Sequence, residues 1–251
     1  MATAALPRST ARKPGARYDN YFFSGMAFLI LITVFVGFAR TYFLAGVFRA
    51  PLPNLLIHIH GVVFSSWILL LITQTLLVSA GRVDVHRRLG LFGFGLACLM
   101  VILGVLAASN SLARGFAPPG SGFDPRTFYA IPIGGMIIFA TLIFFAYRAR
   151  FNPAAHKRLI MIATIALLDA PTGRPPFTVI TARPFFDSTF IFLFLLLLIA
   201  YDLWSTGKVH RATAWAAAFV VVVGQLRVPI GSTTAFHNLA NWVQAIARGS
   251  H

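Results

Sequence analysis

The chain contains no glutamate; all six of its acidic residues are aspartates. That excludes a glutamate-based, carboxylate-bridged di-iron bundle. A single cysteine, Cys98, excludes a disulfide framework and a cysteine-rich metal site. Within its apolar run Cys98 reads as a small packed hydrophobe. Charge is scarce: 11% of the 251 residues carry one, against about a quarter in a soluble domain. The HExxH and HxxxH spacings of helical zinc sites are missing, which weakens a hydrolase reading. The first twenty residues, MATAALPRSTARKPGARYDN, hold no apolar core of the kind a secretory signal needs.

What is present is apolar. Hydrophobic residues make up 58% of the chain and the mean hydropathy is +0.79. Several runs reach the roughly 20 residues a helix needs to cross a hydrocarbon core. The expected fold class is all-α: a polytopic transmembrane bundle of about seven helices. The expected spans run from Tyr21 to Val47, Asn54 to Ser79, Leu89 to Ser109 and Phe128 to Tyr147. A fifth starts near Lys157 and is interrupted at Pro171, a sixth runs from Phe186 to Trp204, and a seventh starts near Ala212 and is interrupted at Pro229. Residues 1–20 read as a basic cytoplasmic arm, 21–231 as the membrane domain, and 232–251 as an amphipathic interfacial segment.

The net charge of +15 sits mostly at helix ends. It therefore points to topology and anionic lipid rather than to nucleic acid. Lys and Arg are denser on the side shared by the N-terminus, HRRLG and HKRL. This predicts a cytoplasmic N-terminus and an extracytoplasmic C-terminus.

Three short stretches repeat one pattern: GRVDVHRRLG, NPAAHKRLI and GKVHRATAW. Each is a turn, a histidine, basic residues and then an apolar helix, which predicts helical hairpins in parallel register. Their histidines, His86, His156 and His210, are interfacial capping residues on one reading. On the other they ligate a haem or metal near the cytoplasmic face.

A second set of polar residues falls in the outer half of the membrane. His58 and His60 of HIHG, two apart, do not share a helical face. Gly61 leaves room for a neighbouring helix or a flat cofactor. Gln74, further along that helix, needs an interhelical partner. In LLDAPTGRPP, Asp169 lies about 20 Å along its helix from His156, and the following prolines and glycine predict a break near Ala170. Arg174 and Arg227 fall at matching depths, each beside a Pro/Gly interruption, and paired interruptions point to a membrane binding site. The expected pocket comprises His58, His60, Asp169, Arg174 and Arg227 with Gln225, joined by His237, Arg183 and Asp187. Intramembrane ionisable groups carry function by default; the structural alternative is an Asp–Arg network that tethers broken helices.

The motifs HIHGVVFSSWILLLITQTLLVSAGRVDVHRRLG, HKRLIMIATIALLDA and GKVHRATAW resemble a family of bacterial polytopic membrane proteins without an established activity. The resemblance covers the second to the seventh helix and implies a bacterial inner-membrane bundle. There is also a looser similarity to b-haem membrane proteins, in which histidines of neighbouring helices ligate iron. The familiar arrangement of ligand histidines at two depths on two helix pairs is not reproduced.

Four functions compete. The first is a redox protein holding b-type haem, with His58 or His60 as axial ligand and Arg174 and Arg227 on the propionates. The second is an accessory subunit of a larger membrane complex. The third is a transporter or receptor for a small anion or lipid headgroup. The fourth is a zinc hydrolase using His58, His60 and His237.

Overall fold

The computed structural model describes residues 15–51, 53–118, 121–174, 176–177 and 188–249. Their regular secondary structure is entirely helical, without a strand among the described residues. In chain order the helices are α1 (Gly15–Phe38, continued by a π-helical turn, Ala39–Phe43), α2 (Ala45–Phe48), α3 (Leu55–Ser79), α4 (Val83–Ala113) and α5 (Pro125–Arg148). They continue with α6 (Pro153–Ile165), α7 (Asp169–Thr172), α8 (Thr189–Thr206), α9 (Arg211–Gly231) and α10 (Thr234–Gly249). We call the end of the bundle at which α1, α4, α6 and α9 begin proximal, and the opposite end distal.

Helix starts follow from capping chemistry. Asn54, Asp124 and Asn152 each accept a backbone N–H from the first turn of α3, α5 and α6, satisfying donors the helix leaves orphaned. Pro125 and Pro153 occupy first-turn positions where no amide donor is required. Gly207, at φ 75°, ends α8 in the left-handed conformation favoured at helix C-termini.

Among the described residues six helices are long and apolar enough to cross a membrane. The fifth expected span is not one of them. There α6 stops after 13 residues, about 20 Å of helix, short of a core about 30 Å thick. The break covers 166–168, earlier than the expected Ala170. Pro171 explains the offset: its ring clashes with the carbonyl four residues back, at Leu167, so disruption precedes the proline. Tighter bonds from Leu167 N to Thr164 O and Leu168 N to Ile165 O bridge the gap. The second expected interruption is different: Pro229 lies inside α9, which continues to Gly231.

α5 is the central helix, with half of its apolar window buried among neighbours. It packs against α4, α6 and α9. α3 lies at the edge with 17% of its window buried, and its Leu55, Val62, Leu69 and Leu76 form an exposed stripe. In water such a stripe is costly; in a bilayer it faces acyl chains, so the protein is read as an integral membrane protein. α10 folds back over the distal ends of α4 and α5. Gln244 donates to the Leu112 carbonyl at 2.7 Å and Arg248 to that of Ala113 at 3.0 Å. These bonds satisfy the exposed C-terminal carbonyls of α4. Of the expected N-terminal arm, residues 15–20 belong to α1; residues 1–14 lie outside those described.

Candidate functional site

The structure separates the polar residues into two groups, one at each end. In the distal group Asp169, on α7, meets Arg227, on α9, with 2.6 Å between Oδ2 and Nη1. Arg227 also donates to the carbonyls of Gly224 and Ile131. Its stem crosses α5 at Gly134, where a Cβ would stand 2.5 Å from the arginine's Cδ and Cγ. Glycine there is a steric requirement of the ion pair. Burying either charge alone in hydrocarbon would cost several kcal/mol, about 3 by insertion scales. The pair removes most of that cost.

The other expected members are dispersed. Arg174 donates to the Ala170 carbonyl and lies 4.5 Å over the Phe38 ring. His58 Nδ1 is 3.4 Å from the Tyr42 hydroxyl, and the Tyr42 ring fills the space that Gly61 leaves. His60 stacks on Phe64 at 4.0 Å, its buried Nδ1 without a hydrogen-bond partner among the described residues. His237 bonds Thr127 Oγ1 at 3.0 Å and approaches Asp124 at 3.8 Å. Burial raises the Asp124 carboxyl, but hydrogen bonds from the Thr127 hydroxyl and the Thr127 and Arg126 amides outweigh it, and the net shift is downward. His58, His60 and His237 thus have separate partners. No three His, Cys, Asp or Glu side chains gather as a metal site among the described residues. Beside Asp169, Gln225 and Arg227 lies a void of about 10 Å³, space for about one water. Arg183 and Asp187 lie outside the described residues.

The proximal group contains a closed network and an open cavity. In the network, the fully buried Asp202 of α8 accepts Arg158 Nε at 3.0 Å and Nη2 at 2.5 Å. It also accepts the His210 amide at 3.0 Å and the Thr213 hydroxyl at 2.6 Å. Four donors satisfy one carboxylate, the condition under which a buried ion pair is tolerated. His210 is part of this assembly. Its Nδ1 accepts the Ala212 amide at 3.1 Å and caps α9. Burial and then the nearby Arg158 charge hold His210 below the usual histidine range, against the opposing pull of Asp202. A neutral ring is what the cap requires, since a protonated Nδ1 cannot accept. Beside this network, Asp19 of α1 takes Lys157 Nζ at 2.5 Å and the Tyr201 hydroxyl at 2.8 Å.

The cavity measures about 450 Å³ and lies between α1, α3, α4, α5 and α6. This is within the usual range for small-molecule sites, about 300–1,000 Å³. Its walls include Trp67, Leu70, Phe94 and Tyr147; its polar lining includes Gln74, His86, His156, Arg87, Arg150, Lys157 and Asp19. Gln74 Oε1 and His86 Nδ1 are buried without a hydrogen-bond partner among the described residues. Of the three repeat histidines, His86 and His156 come together here while His210 is taken up by the Asp202 network.

Asp19, Arg158, Tyr201 and Asp202 were absent from the candidate residues read from the sequence. For Asp202 a signal existed: a lone carboxylate in the run LLLLIAYDLW is an intramembrane ionisable group demanding a partner. No protein-family model, curated protein or solved structure matches the chain. Its function is therefore argued from this geometry.

Proposed function

We propose that this integral membrane protein binds an amphiphilic ligand with an anionic head in the proximal cavity. The reading belongs with the receptor or carrier class expected for small anions and lipid headgroups. One observation carries it: an apolar cavity of about 450 Å³ edged by Arg87, Arg150 and Lys157 against the single carboxylate Asp19. Lys157 is paired with Asp19, so the arginines supply the surplus charge. Aromatic and aliphatic walls suit an apolar body, and guanidinium groups suit a carboxylate or phosphate. Of the distal residues expected to hold a cofactor, Asp169 and Arg227 border a far smaller space, about 10 Å³. On this reading the proximal end is the cytoplasmic one, as the distribution of Lys and Arg predicts.

The test is native mass spectrometry of the detergent-purified protein, with extraction of whatever travels with it. A bound anionic amphiphile is expected, and Arg87→Gln combined with Arg150→Gln should remove it. Retention of the same molecule by the double variant, or a purified protein without any bound amphiphile that also takes up none when one is added, overturns the reading.

A further inference from the structure

His86 at the start of α4 and His156 at the start of α6 come together in the lining of the proximal cavity. Their ring centres are 6.4 Å apart and their planes cross at 84°. His156 Nδ1 is 2.8 Å from the Ala146 carbonyl. A carbonyl only accepts, so the proton sits on Nδ1, and Nε2 keeps its lone pair. That arrangement typifies a metal-ligating histidine, whose second nitrogen donates to a carbonyl or carboxylate. Two metal–imidazole bonds of about 2 Å, with the two rings' radii added, place opposed ring centres roughly 6 Å apart. The observed separation accommodates one ion between them.

The same geometry limits what that ion can be. No third His, Cys, Asp or Glu joins the pair among the described residues. A bare zinc ion takes four ligands, so a metal held by two imidazoles must bring its remaining ligands with it. A tetrapyrrole does this, supplying four equatorial nitrogens and leaving two axial positions. Imidazole suits iron. The cavity has room beside the pair, with Trp67 and Phe94 on its walls and Arg87 and Arg150 in its lining, where a guanidinium suits a carboxylate. An iron porphyrin is itself an apolar disc with two carboxylates, an amphiphile of the kind proposed above.

We infer that His86 and His156 are the two axial ligands of an iron porphyrin seated in the proximal cavity. The inference rests on the proposed amphiphile site and names its occupant. It also moves the haem expected at His58 or His60 to the opposite end of the bundle.

The experiment uses the full chain, produced in haem-replete cells and purified in mild detergent. The expected result is a Soret band, paired visible bands on reduction with dithionite, and a low-spin resonance signature of two imidazole ligands. His86→Gly and His156→Gly should each lose that signature, and added imidazole should restore it, which it would not do for a misfolded variant. His60→Gly should leave the spectrum unchanged. The assignment is overturned if the purified protein shows no haem bands and none develop on titration with hemin. It is equally overturned if the bands survive both glycine variants, or if imidazole restores nothing to either. An anionic lipid lost on Arg87→Gln with Arg150→Gln, in a protein that takes no hemin, overturns the haem assignment and leaves the amphiphile site standing. Absence of both ligands overturns both.

Discussion

At the distal end Asp169 and Arg227 meet at 2.6 Å beside a void of about 10 Å³. At the proximal end two histidines and three cations surround a void of about 450 Å³. The distal pair is largely buried, whereas Arg87 and Arg150 at the proximal cavity are exposed. The distal pair uses its charge internally: the arginine holds the broken α6–α7 segment to α9 and leaves no space for a ligand between them. The Arg158–Asp202 network does the same one layer from the cavity, with every donor matched. At the cavity, cations outnumber carboxylates. Buried charge alone therefore does not identify a site; unmatched charge beside open volume is the more useful sign.

The contrast can be broken most severely at Asp202. Removing one member of a fully buried pair strands the other, at about 3–5 kcal/mol. Asp202→Leu or Arg158→Met should lower the unfolding midpoint in detergent by that equivalent. The double variant should recover much of the loss; a double variant as unstable as the singles would show that the network does more than neutralise itself. Arg227→Met should cost somewhat less, about 2–4 kcal/mol, because the distal pair is partly exposed. It should leave ligand content at the proximal cavity unchanged, and a loss of ligand at preserved stability would make the distal pair part of the site. Gly134→Ala drives a methyl into the Arg227 stem, and overpacking of this kind costs about 1–3 kcal/mol. A neutral result would mean that the arginine has another route to Asp169.

Acid sharpens the comparison with the smallest effect. His210 is held below its ordinary value of about 6.5, so folding favours its neutral form. Stability from His210 is complete above that value and is lost as pH falls below it, when the unfolded chain takes up the proton first. A lost cap is worth about 1 kcal/mol. Asp124 at the distal end is also shifted downward, but there folding favours the charged form. Its contribution is intact above about pH 3.9 and lost as pH falls further. Hydrogen exchange should therefore show the first turn of α9 loosening at a higher pH than the first turn of α5. The reverse order would contradict both shifts.

One pair of the distal site was legible from spacing. Counting along helices placed Arg174 and Arg227 at matching depth in the outer half with Asp169; Arg227 meets Asp169, whereas Arg174 bonds its own segment instead. Depth gives the coordinate along a helix but not the direction around it, which depends on which helices are neighbours. The proximal cavity was legible only as three similar motifs. Nothing in GRVDVHRRLG or NPAAHKRLI states that α4 and α6 bring their first turns together, or that α9 turns its histidine onto Asp202. The fifth span also shows how local rules reach their limit: proline predicted a break, but the clash with Leu167 O moved it upstream.

The amino-acid sequence by itself determined that this is a membrane-embedded helical protein, because apolar runs without charge admit no other arrangement of backbone hydrogen bonds in lipid. It also placed the start of the second span at Asn54, and predicted that the segment after His156 would break. Only the tertiary structure decided which charges cancel and which remain. That depends on helix neighbours and their rotation, set by packing over the whole bundle. Six apolar helices of similar composition permit many pairings, and the one adopted matches Asp169 with Arg227 and Asp202 with Arg158, and brings His86 and His156 together at a cavity.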